Sequence, residues 1–77
     1  MKIGDMVIRA YTWKDIVPGI IVEEEIENVE DEGFNRYQQL NLIVQWSDGS
    51  MTRELDCELE YMDEAFRRME EYKHVTR

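Results

Sequence analysis

The sequence predicts a small, mainly β domain: an antiparallel barrel over about residues 3–60, followed by one C-terminal α-helix over about 62–74. Three observations predict it. Four segments are rich in β-branched and aromatic residues, two of them flank an Asp48-Gly49 turn dipeptide, and an apolar stripe near the C-terminus recurs at spacings of three and four. With 77 residues there is room for one domain and one modest core, so self-association is a natural supplement to stability.

Residues 6–13 contain Val7, Ile8, Tyr11, Thr12 and Trp13 and read as the first strand. Both of its alternating faces carry apolar side chains, so either can point inward. A loop follows, closed by the Pro18-Gly19 turn signal. Residues 20–26 read as the second strand, with Ile20, Val22 and Ile26 on one face, and residues 27–35 as a loop. Seven of the ten residues from Glu23 to Glu32 are acidic. Charge of this kind keeps a strand end and loop from pairing with neighbouring sheets. The alternative is a cation or basic-peptide site, although Glu30-Asp31-Glu32-Gly33 lacks the alternating ligands of a calcium loop.

Residues 37–46 and 51–59 form the third and fourth strands, joined at Ser47-Asp48-Gly49-Ser50. A two-residue type I′ loop at Asp48-Gly49 sets Ser47 opposite Ser50 and fixes the register. Trp46 then faces Met51, Val44 faces Arg53, Leu42 faces Leu55 and Leu40 faces Cys57, all on one side. That side is apolar except for Arg53, which must either reach solvent or meet a carboxylate. Its other reading is the mark of a ligand groove. A fifth strand comes from splitting residues 51–59 or from a short loop segment.

In the helix, Leu59, Met62, Phe66 and Met69 make the apolar stripe that caps the barrel, with dimerisation as its alternative use. Asp63 and Glu64 at the start, and Lys73 and His74 at the end, suit the helix dipole. Glu64 can pair with Arg67 or Arg68, and Glu70 with Lys73 or His74.

Eighteen acidic residues against nine basic ones give a net charge of −9, which disfavours ordinary nucleic-acid binding. No apolar run approaches the roughly 20 residues of a membrane-spanning helix. A single cysteine cannot form an internal disulfide, which points to a reducing, cytoplasmic setting. Cys57 on the apolar face reads as an inert thiol, and His74 is the sole histidine, so no catalytic pair, zinc set or other cofactor site is expected. The residues singled out for partner contact are Tyr11, Trp13, Trp46 and Arg53, three amphipathic aromatics and one cation out of pattern.

Gly4-Asp5-Met6-Val7, Pro18-Gly19-Ile20-Ile21-Val22 and the run from Leu42 through Trp46 to Ser50 resemble the Tudor and related SH3-like barrel domains over residues 3–60. The resemblance implies an SH3-like barrel. Tudor domains that recognise methylated lysine or arginine do so with an aromatic cage. Tyr11 and Trp46 fall where two cage rings would lie. The other two regions hold Val17-Pro18 and Thr52, so Trp13 or Tyr37 would have to substitute. The functional expectation is a protein-interaction or accessory module without catalysis, acting on a protein partner or on itself. The alternative is an acidic DNA mimic that arrays the carboxylates of residues 23–32 with Glu54, Asp56 and Glu58 on one exposed face.

Overall fold

A computed structural model describes residues 1–75, with side chains as far as Tyr72. Five antiparallel strands form one sheet: β1 (Met6–Arg9), β2 (Gly19–Glu30), β3 (Arg36–Trp46), β4 (Met51–Leu55) and β5 (Leu59–Tyr61), in the order β4-β3-β2-β1-β5. A 3-10 turn at Asp56–Glu58 separates β4 from β5, and one helix, α1 (Met62–Val75), follows. The mainly β class with a C-terminal helix is therefore observed. The sheet is bent but not closed into a barrel. The expected strand over residues 51–59 is broken after Leu55, and the fifth strand starts at its last residue and runs to Tyr61. No helix among the described residues is long and apolar enough to cross a membrane.

The turn between β3 and β4 is one residue longer than expected, and this corrects the register. Gly49 alone takes a left-handed φ of 94°, whereas a type I′ loop needs positive φ at Asp48 as well. The Gly49 N–H donates to the Trp46 carbonyl at 3.0 Å and the Trp46 N–H to the Ser50 carbonyl at 2.8 Å, closing a three-residue loop. Asp48 favours this form because its carboxylate accepts from both the N–H (2.9 Å) and the hydroxyl (2.6 Å) of Ser50. Gln45 consequently pairs with Met51, Val44 with Thr52, Ile43 with Arg53 and Leu42 with Glu54. Thr52 and Glu54 share the core face, while Met51 and Arg53 point to the other side. Met51, Leu40 and Cys57, expected inside, are exposed. Lys73 and His74 lie outside the described side chains, so their expected pairing with Glu70 does too.

β1 is shorter than the expected residues 6–13. It stops at Arg9, where the Thr12 hydroxyl donates to the Arg9 carbonyl at 2.7 Å and Tyr11 enters the left-handed region. β2 is longer than expected, because it zips along β3 to the pair Glu30 and Arg36 and leaves only residues 31–35 as the loop. Asp31 ties that tip. Its Oδ1 accepts from the N–H groups of Gly33 and Asn35, both at 2.9 Å. A bulge at Val22, between the Ile21–Val44 and Glu23–Ile43 pairs, reverses the facing of β2. Ile21 joins the core, Ile20 sits on the opposite face, and Ile26 returns to the face of Leu42 and Leu40. Ile20 and Ile26 thus do not share a face.

The core is Val7, Ile21, Leu42, Val44, Trp46 and Leu59, with Met1 and Val17 packed against it. Gly19 lies beside Trp46, and a Cβ there would meet Val44 Cγ1 at 2.6 Å and Trp46 Cε3 at 2.7 Å. Only a residue without a side chain lets the indole lie flat on β2. On the other face Ile8 pairs with Glu60, and α1 packs there against β1 and β5. The buried line of α1 is centred on Ala65, leaving Phe66 half exposed rather than at the middle of the stripe.

Gly19→Ala should lower stability by about 1–3 kcal/mol, the usual cost of overpacking, measured by urea unfolding. The Asn35 and Gly33 N–H groups and the Asn35 amide hold Asp31 below the ordinary aspartate pKa, and the Ser50 hydroxyl and N–H do the same for Asp48. A depressed folded pKa gives stability that is present above the unfolded pKa and lost as pH falls through the folded one. Asp31→Asn and Asp48→Asn should therefore weaken the fold at neutral pH, with the difference from the parent shrinking in acid, as read by denaturation at the two pH values.

Candidate interaction surfaces

The core face ends in a polar ring that joins β1 to β4 across the bend. The Trp46 indole N–H donates to the Thr52 hydroxyl at 2.7 Å, and that hydroxyl donates to Glu54 Oε1 at 2.9 Å. Arg9 Nη2 lies 3.4 Å from the same carboxylate oxygen, and its Cζ sits 4.3 Å from the centroid of the Trp46 ring. β1 and β4 are three positions apart in the sheet, about 14 Å if it were flat, so this contact requires the sheet to curl. The indole that the Tudor resemblance assigns to ligand capture is buried, and its face carries the protein's own guanidinium.

Trp13 has a different neighbourhood. Arg68 on α1 forks onto Glu60, with Nε–Oε2 at 3.0 Å and Nη2–Oε1 at 2.9 Å, and Nη2 also donates to the Thr12 carbonyl at 3.1 Å. Its Cζ lies 4.2 Å from the Trp13 ring centroid, and Tyr72 packs on Trp13 at 4.9 Å. Arg68 Nη1 is buried without a hydrogen-bond acceptor, and the indole beneath offsets part of that charge. This cluster fastens the helix to the loop after β1. Arg68 thus meets Glu60 rather than Glu64.

The four residues expected at a contact surface are therefore dispersed. Tyr11 is exposed on the loop after β1, Trp13 lies against α1, Trp46 is in the core, and Arg53 is on the outer face, 3.0 Å from Glu25. Arg53 does meet a carboxylate, but from outside the core, because the longer turn moves it there. Tyr37 is half exposed near the hairpin tip.

Two surfaces stand out instead. On the face that α1 only partly covers, Met6 pairs with Ile20, Ile20 with Gln45 and Gln45 with Met51, one row across four strands. Met6, Ile20 and Met51 are 49%, 40% and 59% exposed. Beside them Pro18, Ser47 and Gly49 shape an open groove of about 460 Å³. The second surface is the hairpin arm formed by residues 23–40. β1 pairs with β2 only at Gly19 and Ile20, the Gly4 N–H and Asp5 carbonyl bond Ile21 beyond it, and β4 pairs with β3 only from Asn41 to Gln45. Among the described strands, β2 therefore has only β3 from Glu23 outward, and β3 has only β2 from Leu40 outward. The arm stretches the molecule to 51 × 29 × 18 Å.

Carboxylates are split between the faces of the arm. Glu23, Glu25 and Glu27 lie on one side, opposite Ile43, Asn41 and Gln39, while Glu24 and Glu30 lie on the other with Ile26 and Leu40. Asn41, buried at the root, donates to Glu27 at 2.9 Å and accepts from Gln39 at 3.1 Å. Sequence reasoning missed Met6, Ile20 and Met51 as a unit, since that row exists only in the corrected register. It missed Arg9 for a different reason: a contact between first and fourth strands leaves no local pattern. No family model, no curated protein and no solved structure matches the chain.

The ring at the bend should show measurable coupling. Arg9→Met in a Trp13→Phe background should change Trp46 fluorescence and lower stability by about 1–2 kcal/mol, the range of a partly exposed cation–π contact with a charged hydrogen bond. Combined with Glu54→Gln in a double-mutant cycle, the losses should be less than additive.

Proposed function

We propose that the chain is a protein-interaction module without chemistry of its own, which associates with a second copy through the Met6–Ile20–Gln45–Met51 row. One observation carries this reading: an uncharged, largely apolar row crosses four strands of a chain whose net charge is −9. Elsewhere, like charges oppose the approach of a second copy. The row itself carries no charge, and Pro18, Ser47 and Gly49 beside it are uncharged, with Asp48 turned onto Ser50 between them. Methionine side chains adapt to an irregular partner surface, and both ends of the row are methionine. A stable dimer covers about 800 Å² per partner, a modest share of the 5934 Å² that this chain exposes.

The resemblance to SH3-like and Tudor domains supports an interaction module, though the covered face of Trp46 argues for a contact surface other than an aromatic cage. The DNA-mimic alternative draws less support. Its carboxylates divide between two faces, Glu25 is bound to Arg53, and Glu54 faces Arg9 in the core ring.

Light scattering of the purified chain should give the mass of a dimer. Met6→Glu and Met51→Glu, both at half-exposed positions, should each yield a folded monomer by scattering and circular dichroism. A monomeric parent at high concentration, or a dimer indifferent to both charges, would count against the row.

A further inference from the structure

The free edge of β2 along the arm is the other unsatisfied feature, and it is distinct from the row just described. Backbone groups in an antiparallel strand alternate between its two neighbours. The Trp46 N–H points to β4, where it meets Ser50, so Val44, Leu42, Leu40 and Gln38 point the same way and their alternates point to β2. Across β2, the pairs at Glu23, Glu25, Glu27 and Val29 therefore hold the ladder to β3. The backbone groups of Glu24, Ile26 and Asn28 point away from it, to an edge where no strand lies among the described residues. An edge of this kind is a template for one more strand.

What would lie there is set by the side chains flanking the edge. One face of the arm presents Glu23, Glu25 and Glu27, and the opposite face presents Ile26 beside Leu40, 68% and 41% exposed, with Glu24 and Asn28 on either side of Ile26 along β2. The carboxylates do not converge on a metal: no group of three potential ligands comes together among the described residues. A second copy adding by its own β2 would set glutamate against glutamate on the ladder, which is unfavourable. We infer that the β2 edge at Glu24, Ile26 and Asn28 receives an extended segment of a partner protein in which lysine or arginine alternates with apolar residues. Its cationic side would face Glu23, Glu25 and Glu27, of which Glu25 also meets Arg53 and Glu27 also accepts from Asn41, and its apolar side would face Ile26. Backbone bonds would supply the pairing, and the alternation the selectivity.

The test uses the full chain and a short synthetic peptide alternating lysine with valine. Calorimetry should show one peptide per chain, binding that weakens with salt, and no binding of the matching glutamate–valine peptide. Slowed amide exchange at Glu24, Ile26 and Asn28 would place the peptide on this edge. Ile26→Pro removes an edge N–H without removing a bond to β3, and should weaken binding about tenfold or more. Should that variant not fold, a peptide N-methylated along its pairing edge tests the same point on the parent chain and should not bind. The inference is overturned if the lysine–valine peptide fails to bind, or if binding survives both blocks, which would make the attraction charge alone. It is equally overturned if the parent forms concentration-dependent arrays that Ile26→Pro abolishes, since the occupant would then be a second copy. Met6→Glu and Met51→Glu should leave peptide binding unchanged, so failure of the dimer and failure of the edge read separately.

Discussion

The register of the β3–β4 hairpin decides what meets across the bent sheet, and a three-residue turn sets that register. Side chains alternate with a period of two, so a slip by one residue exchanges the two faces of β4. With Gly49 alone in the left-handed region, Thr52 and Glu54 come to lie beside Val44 and Leu42 on the core face. The Trp46 indole then has an acceptor in Thr52, and Glu54 has a position from which to reach Arg9. The same turn sends Met51 to the opposite face, where it completes the row with Gln45, Ile20 and Met6. The polar link that holds the curl and the apolar row left in solvent are two consequences of one turn.

That curl encloses a small core. Buried apolar side chains are concentrated on the last part of β3, with Ile21, Val7 and Leu59 around them. The arm contributes little to it. A two-stranded ribbon without a third strand or a covering face is marginal in water, so the arm depends on its two ends. Asp31 ties the tip, and the Gln39–Asn41–Glu27 bonds secure the root where the buried Asn41 would otherwise lose its partners. The ion pairs along it, Arg36 with Glu30 at 4.0 Å and Arg53 with Glu25 at 3.0 Å, are solvent-exposed and worth at most about 1 kcal/mol each. The arm is thus the part of the sheet with the least local stability, and the one that gains most from an added strand.

Much of this was legible in the residues, and the failures have definite causes. β-branched and aromatic segments located β1 to β4 and the helical spacing located α1, whereas the misfit of Arg53 belonged to the two-residue register and disappears in the observed one, where Arg53 meets Glu25 on the outer face. Asp-Gly could not distinguish a two-residue loop from a three-residue one, because glycine serves both and the choice rests on the bonds between Asp48 and Ser50. The bulge at Val22 has no composition signal, since valine suits a regular strand equally well. The length of β2 was hidden by its glutamates, which disfavour strands as residues but are tolerated when they alternate between two solvent-facing sides. Tyr11, Trp13 and Trp46 were identified correctly as amphipathic rings, yet a list of rings carries no information on which cation will cover them. Arg9 and Arg68 do so, one on each face of the sheet.

The placement of those arginines also explains how a chain of net charge −9 divides its surface. Arg9, Arg36, Arg53 and Arg68 each face a carboxylate of their own chain, so much of the positive charge is already engaged within the fold. The excess acid is concentrated along β2, while the Met6–Met51 row is uncharged. A second copy and a basic segment would therefore favour different places, because apolar contact is strongest where repulsion is absent and charge attraction where the carboxylates crowd. In a two-fold dimer built on the row, each copy would keep its own arm, and the pair would carry two β2 edges. Two linked segments binding such a pair would gain from effective concentration without any new contact, provided their spacing matches that of the arms. An arm of low intrinsic stability is compatible with that role, since pairing with a partner would complete a sheet that the chain leaves unfinished on its own.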